Sequence, residues 1–352
     1  MRRTAIRLTP WAFLVGVVLA AALAVSGDTA AAQEQAPADT VGRISGEVNL
    51  GTEGATLDGD LTVDFIVLVG SEVGGTVDAT VNGASFFVEV PLDDTRRYVP
   101  RVVYQGVPYF GAPVAVTADA PEATAELPTI YATTSEAPAL TIGDTVVTVI
   151  ALDRGTGQLG FVREDLVMNP ADRVFVGDAN GVTLRLPAPD STLDAAGENA
   201  DGTFRLADGV LTSTVPLRAE EATSIVTRYL VTYDIAKDEY LLRVTTPLAA
   251  DRLVVRVPET YVRNLEVVGD GAIGEPDVLQ LGDSDPIPLR TAYLENAKPG
   301  DSLIVRLDGL ALQTNRNPLA ETPGNIIAGL VALAVVGAAA AYAIARGRSA
   351  PA

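Results

Sequence analysis

The 352 residues carry 45 acidic against 25 basic side chains, a formal charge of -20, and contain neither cysteine nor histidine. Those two absences exclude disulfides, Ser-His-Asp and Cys-His catalysis, His- or Cys-ligated metals and, with Met1 and Met168 the sole methionines, ordinary haem ligation. The acidic surface repels nucleic acid, while 48% hydrophobic residues are too many for a disordered chain.

Met1-Arg2-Arg3 through Arg7 forms a basic start, followed by an uncharged apolar run from Trp11 to Val25 and the small residues Ala30-Ala31-Ala32. This order predicts a secretory signal peptide over 1–32, cleaved near Ala32, because its apolar run is short for a membrane span. Residues 33–40 read as a flexible leader. From Val41 the apolar residues alternate with polar ones, which is the period of a half-buried strand. Further strands are predicted at 61–69, 76–81, 85–90, 98–105, 107–110, 113–117 and 123–127. Asn82-Gly83 between two of them predicts a hairpin with a type I′ turn. Short strands divided by Gly, Asp and Pro, without helical periodicity, predict an antiparallel sandwich over 41–128.

Residues 129–140 read as a linker, and strand patterning resumes over 141–312. Strands are predicted there at 145–152, 159–168, 182–186, near Phe204, 210–215, 224–235, 241–245, 253–257, 265–268 and 302–307. Residues 188–202 read as a long acidic loop. The region suffices for one large sandwich or two small ones, divided near Pro247. The expected fold class is therefore all-β, with tandem antiparallel β-sandwich domains.

Residues 313–324 read as a tether. Asn325 to Ala345 carries no charge and has about the ~20 apolar residues that cross a bilayer core. Arg346 and Arg348 follow directly, so the positive-inside rule predicts that the tail 346–352 is cytoplasmic and everything upstream extracytoplasmic. Leu319 to Gly324, the apolar run and the Arg-containing tail resemble the layout of a cell-wall sorting signal. Pro323 interrupts the Thr-Gly pair of that signal, so a retained anchor is expected.

Ile44-Ser45-Gly46-Glu47-Val48, then Asn82-Gly83-Ala84-Ser85-Phe86-Phe87-Val88-Glu89-Val90, then Tyr98 to Tyr104 with Gln105-Gly106-Val107, follow one order. In that order they resemble the carboxypeptidase regulatory-like domains, small transthyretin-like sandwiches. The resemblance covers residues 41–128 and implies a non-catalytic module serving as a spacer, a folding aid or a ligand-binding surface.

Carboxylates are the plentiful reactive groups. Asp58 with Asp60, Asp283 with Asp285, and Asp270 with Glu275 and Asp277 offer oxygen ligands of the kind calcium takes, yet none has a calcium-loop spacing, and turns favour the same residues. Glu164, Asp165 and Glu259 are nominal candidates for a glycosidase pair, which requires two carboxylates about 5–10 Å apart. Tyr104, Tyr109 and Phe110, beside Gly106 and Pro108, are the candidate ligand surface; the alternative packs Tyr104 and Phe110 into the core with Tyr109 shielding an edge. No catalytic, cofactor-binding or metal residue is assigned. The expectation is a non-enzymatic, membrane-anchored envelope protein with an envelope protein or a surface glycan as partner. A carbohydrate- or peptide-recognition module is the alternative, and a carboxylate-dependent hydrolase the second alternative.

Overall fold

The computed structural model describes residues 41–57, 61–70, 72–280 and 285–310, which form strands, bridges and turns and contain no helix. The signal peptide, leader, tether, apolar segment and tail predicted above lie outside the described residues. No helix among those described is long and apolar enough to cross a membrane.

Eight strands build the smaller lobe: β1 (Val41–Glu47), β2 (Leu61–Val69), β3 (Glu72–Asp78), β4 (Thr80–Asn82), β5 (Ser85–Pro91), β6 (Arg96–Tyr104), β7 (Val107–Phe110) and β8 (Glu122–Ala125). They form two four-stranded sheets, β4-β5-β1-β8 and β3-β2-β6-β7, with β1 and β8 parallel. The chain changes sheets at Ala79, between β3 on β2 and β4 on β5. Alternation along β2, β5 and β6 sends Val63, Phe65, Phe86, Val88, Tyr98 and Val102 inward. Each such fully buried side chain contributes on the order of 1.5–3 kcal/mol over its exposed state. Gly46 leaves room for the Phe86 ring to lie across β1 on the inner face of the sheet: a Cβ there would lie 2.4 Å from that ring and 2.8 Å from the Ala125 carbonyl, both on strands flanking β1.

The hairpin turns differ from the local reading in one respect. Asn82 pairs with Ser85, so Gly83 and Ala84 are the central residues. Positive φ falls on Gly83 (63°) and not on Ala84, the pattern of a type II′ turn. Asn82 is therefore the last strand residue and not a turn centre. A two-residue loop with positive φ at both positions occurs at Gln105-Gly106, between β6 and β7.

The larger lobe holds β9 (Thr133–Thr134), β10 (Thr141–Asp153), β11 (Gln158–Met168), β12 (Val174–Phe175), β13 (Leu184–Pro187), β14 (Thr192–Gly197), β15 (Phe204–Ala207) and β16 (Val210–Ser213). It continues with β17 (Ala222–Thr232), β18 (Glu239–Thr245), β19 (Ala250–Pro258), β20 (Asn264–Val267), β21 (Ala272–Ile273), β22 (Asp277–Leu279), β23 (Ile287–Ala297) and β24 (Ser302–Asp308). Its main sheet runs β14-β17-β11-β10-β19-β23-β21, with β22 also on β23. The three-stranded sheets β13-β16-β15 and β18-β24-β20 share a core with it. Leu242 and Val244, before Pro247, and Leu253 and Val255, after it, belong to that one core. β14 lies inside the stretch read as an acidic loop, and β23 has no counterpart in the local reading. Both owe their strand conformation to pairing with long, well-patterned neighbours, β17 and β19.

The segment read as a linker is built into both lobes. Ile130 and Ala132 are buried in the smaller core, and the Ile130 backbone bonds to Asn49 and Gly51. Thr133–Thr134 then pairs in parallel with Val174–Phe175. On that two-residue strand Val174 enters the smaller core and Phe175 the larger one. The Thr52 hydroxyl completes the joint, donating to the Asp172 carbonyl at 2.8 Å and accepting from the Ala132 amide at 2.8 Å.

Candidate functional site

The Gln105-Gly106 turn sets the phase of the aromatic cluster. Tyr104 faces Val107 and Val102 faces Tyr109, so Tyr104 and Tyr109 point into the sandwich, 1% and 3% exposed, while Phe110 is 51% exposed. The expected inward Phe110 and edge-shielding Tyr109 are thus exchanged. The three rings do not share a surface. The two phenols are occupied in holding neighbouring chain: Tyr104 donates to the Thr56 carbonyl at 3.1 Å, and Tyr109 donates to the Tyr131 carbonyl at 3.3 Å while accepting from its amide. Arg218 of the larger lobe stacks 4.9 Å from the Tyr109 ring centre and donates to the Pro108 carbonyl at 2.8 Å. Gln105 accepts from both the amide and the hydroxyl of Thr133. Burial, aided by the hydrogen bond to Glu220, pushes the Tyr131 phenol up to about 12. Tyr109, with Gln105 and Tyr131, thus belongs to the joint between lobes, and Tyr104 and Phe110 do not.

The nominal carboxylate pair also separates. Glu164 and Asp165 are neighbours on β11 and therefore point to opposite faces of the sheet. Glu164 accepts from the Ser224 hydroxyl at 2.8 Å. Asp165 is 0% exposed inside the core, held by both Nε (2.8 Å) and Nη2 (2.9 Å) of Arg163 and by the Thr145 hydroxyl at 2.7 Å. Glu259 follows the end of β19, where its amide bonds the Pro288 carbonyl. The inward row Leu159, Phe161, Arg163, Asp165, Val167 carried a signal for the buried pair: opposite charges two residues apart, in phase with the apolar positions.

Of the acidic clusters, Asp58, Asp60 and Asp283 lie outside the described residues. Asp277 pairs with Arg256 at 3.1 Å, and Glu275 offers its backbone carbonyl to Thr291. Asp270 and Asp285 complete the candidate set. Among the described residues no group of three or more His, Cys, Asp or Glu side chains is arranged to hold a metal ion.

The outward face of the β4-β5-β1-β8 sheet carries a shallow, open depression lined by Arg43, Ser45, Glu47, Asn82, Ser85, Phe87 and Thr124. Strand register lays its residues in rows. Thr80, Phe87, Ser45 and Thr124 run straight across all four strands. Asn82, Ser85 and Glu47 form the row beyond, and Glu89, Arg43 and Glu122 the row before. Phe87 is the single aromatic in these rows. Arg43 has a glutamate beside it on each neighbouring strand, yet its guanidinium lies over the Phe87 ring, 4.1 Å from the centre. Local sequence reading missed the depression because its residues come from four separate strands. No family model matches the chain, and no curated protein matches it.

Proposed function

We propose that the chain is a single-pass, membrane-anchored envelope protein whose β lobes lie outside the cytoplasm and act as a non-enzymatic structural, accessory or binding component. The observation that carries this reading is the joint between the lobes. Val174 and Phe175 anchor one strand in two cores, and Tyr109, Tyr131, Gln105 and Arg218 spend their polar groups across the same seam. Two sandwiches fastened in this way present their outer faces in fixed relation, as a scaffold or binding component requires. The basic start with its apolar run, and the uncharged 325–345 segment followed by arginines, support the topology. Two four-stranded sheets in the smaller lobe support kinship with the carboxypeptidase regulatory-like sandwiches.

Because the chain has no cysteine, one introduced thiol reports its own location. Thr76→Cys, on the exposed strand β3, is expected to react with a membrane-impermeant maleimide on intact cells. Ser349→Cys is expected to react only after the membrane is opened, and both variants to stay with the membrane through an alkaline carbonate wash. Labelling of Ser349→Cys on intact cells, protection of Thr76→Cys, or release into the wash would overturn the topology. The depression around Phe87 favours a recognition role over a purely architectural one.

A further inference from the structure

We propose that the outward face of the β4-β5-β1-β8 sheet binds a neutral saccharide, with the Arg43-Phe87 stack as its platform. The inference extends the binding role above and does not depend on the membrane anchor.

Three observations carry it. First, the face combines one aromatic ring with a surrounding grid of small polar groups. A sugar ring has an apolar C–H face and a rim of hydroxyls that both donate and accept, and the grid matches it in kind. Phe87 supplies an apolar ring, one face of which Arg43 covers, and the hydroxyls of Ser45, Ser85 and Thr124 and the amide of Asn82 each donate and accept. Second, this capacity is unspent. Among the described residues the side chains of Ser45, Glu47, Asn82, Ser85 and Thr124 make no hydrogen bond within the chain, while Tyr109, Gln105 and Thr133 on the lobe seam are all engaged. Third, the charges select against ionic ligands of the commonest kind. Arg43 stands among Glu47, Glu89 and Glu122, so the face carries net negative charge and disfavours polyanions. Arg43 rests on the ring and, among the described residues, makes no ion pair, which leaves a donor fork at the rim of the platform. A peptide would gain its main-chain hydrogen bonds at a sheet edge, whereas the platform residues Phe87, Arg43 and Ser45 stand on the two central strands, β5 and β1, whose backbones are paired on both sides.

The test uses the full-length protein in an amine-oxide detergent, since maltoside detergents carry a sugar. The probes are immobilised neutral hexasaccharides of glucose, mannose, galactose and N-acetylglucosamine, with hexa-arginine as the cationic peptide control. Saturable binding of at least one hexasaccharide is expected, competed by the same sugar in solution. Phe87→Ala is expected to weaken it by at least about tenfold, in line with loss of a central aromatic anchor. The Ser45→Ala, Thr124→Ala double variant, which leaves the core untouched, is expected to weaken it severalfold, and Phe110→Ala, on the other sheet, to leave it unchanged. A thermal melt equal to that of the unmodified protein establishes that each variant is folded. Failure of every hexasaccharide to bind, full binding by folded Phe87→Ala or by the double variant, or Phe87-dependent capture of hexa-arginine in place of sugar would overturn the proposal.

Discussion

Replacing Asp165 with asparagine removes one charge and almost no volume from the interior of the larger lobe. Arg163 would keep its place, 2% exposed, with its carboxylate partner gone from contacts of 2.8 and 2.9 Å, and Thr145 would lose the anionic acceptor it now reaches at 2.7 Å. Breaking a buried pair from one side strands the other charge in a poorly polarisable surround and costs about 3–5 kcal/mol. With a denaturant slope of about 3 kcal/mol per molar for a body of this size, the urea midpoint should fall by roughly 1–2 M. Far-UV circular dichroism is the suitable signal, since the single tryptophan, Trp11, lies outside the described residues. Two comparisons isolate the cause. Arg163→Met with Asp165→Leu removes both charges and should recover most of the loss, because apolar replacement of a whole buried pair is close to neutral or stabilising. Asp64→Asn breaks a pair of the same two-toothed geometry, Arg101 to Asp64 at 2.7 to 3.2 Å, but on a partly solvated face. Its cost should be about 1 kcal/mol or less. Asp165→Asn within about 0.5 kcal/mol of the unmodified protein, or a double variant worse than the single one, would refute the argument from desolvation.

Alkali should weaken the fold through its phenols. Burial is the largest cause holding Tyr131 and Tyr261 up to about 12, and it raises Tyr240 further. Unfolded phenols ionise near 10, so this contribution is complete below pH 10 and is lost as the pH climbs toward 12. Near-ultraviolet titration should show a class of tyrosines that ionises only with unfolding, and a single class titrating near 10 would contradict it. At Gly46 an alanine methyl would meet the Phe86 ring at 2.4 Å, so Gly46→Ala should cost about 1–3 kcal/mol in a thermal or urea melt. Gly143→Ala, whose nearest neighbour would be 3.8 Å away, should be neutral or slightly stabilising, and equal effects at the two sites would count against the packing account.

The all-β character and most strand positions were legible before folding, because alternation along stretches such as 61–69, 85–91 and 158–168 is a local property. Composition also determined which chemistries are closed, since an absent residue type needs no structure to interpret. Tertiary structure decided which way each row faces. Tyr109 and Phe110 are adjacent aromatics, and a one-residue change of phase exchanges them, so only the turn at Gln105-Gly106 assigns Tyr109 to the core. The same holds for 129–134, whose weak local pattern gave no hint of Val174 and Phe175 as its partners. Asp165, a nominal catalytic carboxylate by residue type, is spent in the core on Arg163, because its row is the inner one. The depression around Phe87 exists because register aligns residues as far apart in the chain as Arg43 and Thr124 on one face. Local periodicity reports the conformation of a strand, whereas its neighbours are chosen by long-range pairing that leaves no periodic trace.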